Sequence, residues 1–189
     1  MALKLITPPS VEPITLAEAK AHIKALTSDE DALIQIWITA ARRRAETFTR
    51  RRFITQIWDY FRDCFPCWGM EVPNAPLQSV TSVKYVDNAG AEQTLGASKY
   101  QVDANTDPGR ITPAYGEAWP VTRDQMNAVT IRFVCGYGLA AVVPEEIKSA
   151  ILLMIAHLEQ HRSEVSAVEM FEMPRAADHL LAPYRVIRF

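Results

Sequence analysis

Six arginines fall between positions 42 and 52: Arg42, Arg43, Arg44, Arg50, Arg51 and Arg52. With Glu46 among them the segment carries +5, which leaves −7 on the rest of a chain whose net charge is −2. Guanidinium groups at this density suit contact with phosphates or with an acidic protein surface, because each forks onto two oxygens. Cations also favour a helix C-terminus, but six exceed what a helix end needs. At helical spacing Arg43, Arg50 and Arg51 share a face, and Arg44 lies along the apolar stripe with its stem buried. The end of the chain is a second candidate: Tyr184, Arg185, Val186, Ile187, Arg188 and Phe189. Free termini are usually polar and frayed. An apolar, arginine-bearing end docks somewhere, on its own core or on a neighbour, and Tyr and Arg are typical interface anchors. The neighbour is the expected choice.

Two other patterns carry less. Cys64-Phe65-Pro66-Cys67 is a CxxC, but no helix follows it to stabilise a thiolate. A zinc site would need two more ligands at suitable spacing, and only Cys135 and four scattered histidines remain. The expected reading is an ordinary buried or half-buried thiol pair. His157 and His161 sit four apart on one helical face, a spacing that can bind a metal. Leu158 stands where a metalloprotease has its glutamate, so a solvated helix end is expected. Gly136-Tyr137-Gly138 follows a strand without the third glycine or the helix of a phosphate loop. No G-x-S-x-G is present, and no nucleophile, base and orienting acid can be assembled. The expectation is a non-enzyme without cofactor or metal.

Those residues need elements to hold them. The chain has 189 residues, 49% hydrophobic and 22% charged, enough apolar surface for a folded core. The near-neutral balance argues against a general nucleic-acid coat or a membrane-surface protein. No apolar run approaches a membrane span. Met1 to Pro9 is too soon broken by proline for a signal peptide, and three cysteines suggest free thiols in a reducing compartment.

Pro8, Pro9 and Pro13 predict an extended arm. Thr15 with Glu18 forms a capping box opening a helix to about Leu26, with Leu16, Ala19, Ile23 and Leu26 on one face. Ser28 to Asp31 opens a second helix to about Arg50, burying Leu33, Trp37, Ala40, Ala41 and Phe48, with Ile34 and Ile38 beside them. From Phe53 to Phe133 the pattern is β: strands at 54–61, 80–86, 92–95, 100–102 and 128–135, with Asp87-Asn88-Ala89-Gly90 as a turn and a proline-rich loop at 112–120. Helix returns after Pro144 on the stripe Ile147, Ile151, Met154, Ile155 and Leu158. It fades by Ser163, and a last short helix covers Arg175 to Ala182. The fold class expected is α+β: a helical bundle of two N-terminal helices and a long C-terminal one, with a small antiparallel β insert. The domains expected are 1–52 (arm and helical hairpin), 53–143 (insert) and 144–189 (helix and tail completing the bundle).

The ordered set of segments resembles a known family. Leu5-Ile6-Thr7-Pro8-Pro9 and Glu12 to Lys20 look like the start of tailed-phage head–tail connectors, also called adaptors or head-completion proteins. Asp29 to Ile34, Ala40-Ala41-Arg42, Pro76 to Val80, Tyr100 to Asp103, Val129 to Phe133, Gly136 to Gly138, Pro144 to Lys148 and Leu181 to Arg185 continue the likeness. It is similar to the β-insert branch found in prophages and gene transfer agents. The resemblance implies a structural protein in the neck of a particle, cytoplasmic before assembly. Its implied partners are the portal protein, a tail-side connector or stopper protein, and further copies of itself in a ring, commonly dodecameric. Double-stranded DNA would pass through the channel without sequence-specific binding, and no membrane is involved. The arginine segment and the end 184–189 would then meet the portal or a neighbouring subunit. Cys64 to Cys67 and the acidic stretch Glu164 to Glu172 depart from the family pattern. The alternative is a DNA-binding or packaging accessory protein using Arg42 to Arg52 on phosphates, with a steep salt dependence. A small redox or metal protein built on the CxxC and HxxxH is a third reading.

Overall fold

The computed structural model describes residues 2–161 and 175–187. The chain divides into two compact units, one of Met1–Pro9 with Thr55–Tyr137, the other of Ser10–Ile54 with Gly138–Phe189.

The first unit is all β. Five strands, β1 (Ala2–Thr7), β2 (Gln56–Arg62), β4 (Leu77–Val86), β5 (Glu92–Leu95) and β8 (Val129–Cys135), form an antiparallel sheet in the order β1-β2-β8-β4-β5. A smaller sheet takes β3 (Met70–Glu71), β7 (Arg110–Pro113) and β6 (Tyr100–Asp103) in that order. The alternation in β8 sets the register. Val129, Ile131, Phe133 and Cys135 are all fully buried, because side chains two apart share a sheet face. Ile131 lies opposite Tyr60 on β2 and Val83 on β4, and Phe133 opposite Trp58 and Val80. Met70, Val72, Leu77 and Ile111 complete this core. On the other face Arg132 forks onto Asp59, with Nε and Nη2 each 2.8 Å from a carboxylate oxygen. The β4–β5 turn closes on Asp87, whose carboxylate accepts from Gln93 Nε2 and the Ala91 N–H, both at 2.9 Å. Those bonds, Gln93's foremost, hold its pKa below the usual aspartate value.

The second unit is helical: α1 (Leu16–Ile23), α2 (Asp31–Thr49), α3 (Glu145–Gln160) and α4 (Arg175–Leu181). The capping box is present. Thr15 Oγ1 accepts from the Glu18 N–H at 3.2 Å, and Glu18 accepts from the Thr15 N–H at 2.7 Å. Thr15's hydroxyl and N–H lower the Glu18 pKa. The first helix stops a turn earlier than the periodicity suggests. Lys24 adopts the left-handed conformation at its C-cap, and Leu26 is 98% exposed. Helix α2 buries Ile34, Trp37, Ile38, Ala41, Arg42, Ala45, Glu46 and Thr49. Helix α3 buries Ile147, Ala150, Ile151, Met154 and Ile155, and α4 buries Ala177 and Leu181. The four helices pack on one another. No helix among the described residues is long and apolar enough to cross a membrane.

A helical bundle carrying a small insert is therefore not the fold. The β part is a five-stranded and a three-stranded sheet with a core of its own, and the chain enters that sheet at its start. Three strands account for the difference. The arm is β1, an edge strand whose six residues are all exposed, so no alternation marks it. The β3 strand has two residues, too few for a period. The β7 strand runs into Pro113, inside what reads as a proline-rich loop.

Candidate functional site

Helix α2 splits the arginine segment by phase. Arg42 follows Ile38 by one turn and faces inward, 5% exposed. Its Nε lies 2.6 Å from Glu12 Oε2 and its Nη2 3.2 Å from Glu12 Oε1, while Nη1 meets Glu46 Oε2 at 3.0 Å. Thr39 Oγ1 donates to Glu12 at 3.0 Å. Burial works against the Arg42 charge, but the two carboxylates outweigh it and raise its pKa. Glu46 is also buried and ties the helix to the chain beyond it. Its Oε1 accepts the Phe53 N–H at 3.1 Å, and its Oε2 lies 3.4 Å from Arg52 Nη1. Two carboxylates and two guanidiniums thus pair with one another where a lone charge would be costly.

Arg50 caps the helix in the left-handed conformation, φ 57°. The turn redirects Arg51, whose Nε donates to the Tyr184 carbonyl at 2.6 Å. The C-terminal arm is held there by three more contacts. The Val186 N–H donates to the Thr49 carbonyl at 2.9 Å, the Arg185 guanidinium lies 5.5 Å from the Phe48 ring centre, and Tyr184 Oη donates to Glu146 at 2.9 Å. Val186 is buried and Ile187 is 65% exposed.

Each expected site residue can now be placed. Arg42, Arg51 and Arg52 are internal ties of the helical unit. Arg43, Arg44 and Arg50 are exposed and form no ion pair among the described residues. The stem expected to lie along the apolar stripe at Arg44 is instead that of Arg42. Arg185 and Val186 rest on this chain's own α2 and Tyr184 on Arg51 and α3, Ile187 is exposed, and Arg188 and Phe189 lie outside the described residues. The acceptors Glu12 and Glu46 carry the arrangement. The four-residue spacing of Arg42 and Glu46 is a legible signal; nothing in the sequence points from Arg42 to Glu12.

Cys64 and Cys67 are free and, contrary to the expected burial, both exposed, because they lie in the loop between β2 and β3. Phe65 between them stacks on Trp119 at 4.7 Å and meets Tyr85 edge-on at 6.0 Å. The His157 and His161 rings lie 4.4 Å apart; burial first, then the His161 charge, lowers the His157 pKa. Among the described residues, no three His, Cys, Asp or Glu side chains are grouped so that they could hold a metal.

The fold is shared with solved structures. One, "Neck of empty GTA particle computed with C6 symmetry", gives a TM-score of 0.84 at 23% identity, covering 100% of this chain and 97% of that one. The neck of a native GTA particle computed with C12 symmetry, and the virion of a native gene transfer agent (GTA) particle, each give 0.81 at the same identity and coverage. No curated protein sequence matches significantly. Residues 13–106 match the family described as phage gp6-like head-tail connector protein. That segment holds the capping box, all of α2 and the arginine run, and over it, just under half of its length, the chain is similar to the phage head–tail connector family.

Proposed function

We propose that this chain joins head to tail in a phage or phage-like particle, forming a ring that docks on the portal and extends the DNA channel. The observation that carries the reading is the whole-chain likeness in fold to chains of GTA particle necks, at TM-scores of 0.84 and 0.81. The ring, commonly dodecameric in the family, would need two different complementary faces on each copy. A surface with free cations and a surplus of acids elsewhere in the chain supply the raw material. The role is structural, and DNA passes without sequence readout. A mild negative balance suits a channel wall, since a strongly basic lumen would hold the DNA back.

Arg43 and Arg50, with Ile187 and the two residues after it, are the proposed contacts to the portal or to a neighbouring subunit. Arg42, Arg51, Arg52 and Tyr184 to Val186 support that surface from within. A tail-side connector or stopper protein would take the opposite side of the ring. Removing the chain from the producing cell tests the role. The expected result is DNA-filled heads and separate tails. Heads that fail to fill with DNA would contradict it and favour the packaging reading.

A further inference from the structure

Helix α2 has a second face that nothing in the described chain covers. Ala32, Gln35, Ile36, Thr39, Ala40 and Arg43 line a shallow, open depression of about 450 Å³. Their spacing is one helical stripe. Ile36 is 63% exposed, although α2's other face is tightly buried. Past the C-terminal end of the stripe stand the cations of Arg44 and Arg50, which with Arg43 form no ion pair among the described residues. The stripe is thus apolar at Ala32, Ile36 and Ala40, with Gln35 and Thr39 beside them, and +3 toward one end.

The same chain carries a segment of the opposite character. Residues 164–172 read Glu164-Val165-Ser166-Ala167-Val168-Glu169-Met170-Phe171-Glu172. Three carboxylates, no cation and five apolar side chains fall in one run. This stretch lies outside the described residues, and neither the site nor the family pattern accounts for it.

We infer that the outer face of α2 is the seat for residues 164–172 of a second copy of this chain, their glutamates meeting Arg43, Arg44 and Arg50. Charge complementarity selects the occupant: −3 on a largely apolar segment against +3 beside the partly apolar stripe. A seat and an occupant on every copy make a head-to-tail contact, the kind that closes into a ring. The inference rests on the ring reading and adds the surfaces that would join its subunits. It also leaves the segment 184–187 free of the subunit contact.

Ile36→Cys combined with Phe171→Cys tests it, in full-length chain with Cys64→Ser and Cys67→Ser, assembled into particles and mildly oxidised. The result expected is a ladder of covalent multimers under non-reducing conditions. Monomers alone, or a link within one chain found by mass, would overturn it. A second variant keeps the test independent of that geometry. Glu164→Lys, Glu169→Lys and Glu172→Lys together should lower incorporation into particles about tenfold or more. Adding Arg43→Glu, Arg44→Glu and Arg50→Glu should restore most of it; no restoration overturns the inference. If the chain is present in particles but unlinked, this inference falls and the connector reading stands. If the unaltered chain is absent from particles, both fall.

Discussion

Arg42 and Arg43 are neighbours in sequence and opposites in role. One faces the core, held by Glu12 and Glu46; the other faces outward with its charge unspent. The same division recurs after the helix, where Arg51 and Arg52 are tied inward and Arg50 is exposed. An arginine run is therefore not one patch. Successive residues on a helix are about 100° apart, so neighbours such as Arg42 and Arg43 serve different ends. A local charge of +5 overstates what a partner would meet.

The sharpest way to break this comparison is to remove the inward anchor. Glu46→Ala leaves the buried Arg42 short of a carboxylate and the Phe53 N–H without its acceptor. It should cost about 3–5 kcal/mol, read by denaturant unfolding. A loss below 1 kcal/mol would mean that the network is not structural. Thr15→Ala should cost about 1 kcal/mol by removing the α1 cap, and Thr15→Asp should recover most of it.

A smaller effect follows from His157. Its folded pKa lies below the ordinary 6.5, so the folded state favours the neutral ring. The stability this contributes is present above about 6.5 and is lost as pH falls through the folded value. His157→Gln should flatten that part of the stability–pH curve, and an unchanged curve would show that the histidine pair does not matter. Arg43→Ala and Arg50→Ala close the series, with an expected stability change within about 0.5 kcal/mol. Their effect should appear only as reduced incorporation into particles. Destabilisation as large as that of Glu46→Ala would erase the distinction between the two sets.

Much of the fold is readable from local patterns. The capping box of Thr15 and Glu18, the β8 alternation and the stripe of α3 each place their element to within a few residues. What escapes is set by distant partners. β1 shows six exposed residues and exists because β2 pairs with it, Leu3 opposite Tyr60 and Leu5 opposite Trp58. Two-residue β3 exists because β7 lies beside it. Without those partners the β part reads as a small insert, although it has its own core. The site behaves alike. The density of arginines marks the segment at once. Which of them are spent inside depends on Glu12, thirty residues from Arg42, and on Tyr184, far along the chain.

A reconstruction of the neck of purified particles at side-chain resolution tests the central claim most directly. The account predicts this chain as a closed ring between portal and tail, with Arg42 buried within each copy and Arg43 and Arg50 at a contact. A neck without this chain, or its recovery only with packaging enzymes or free DNA, would contradict it.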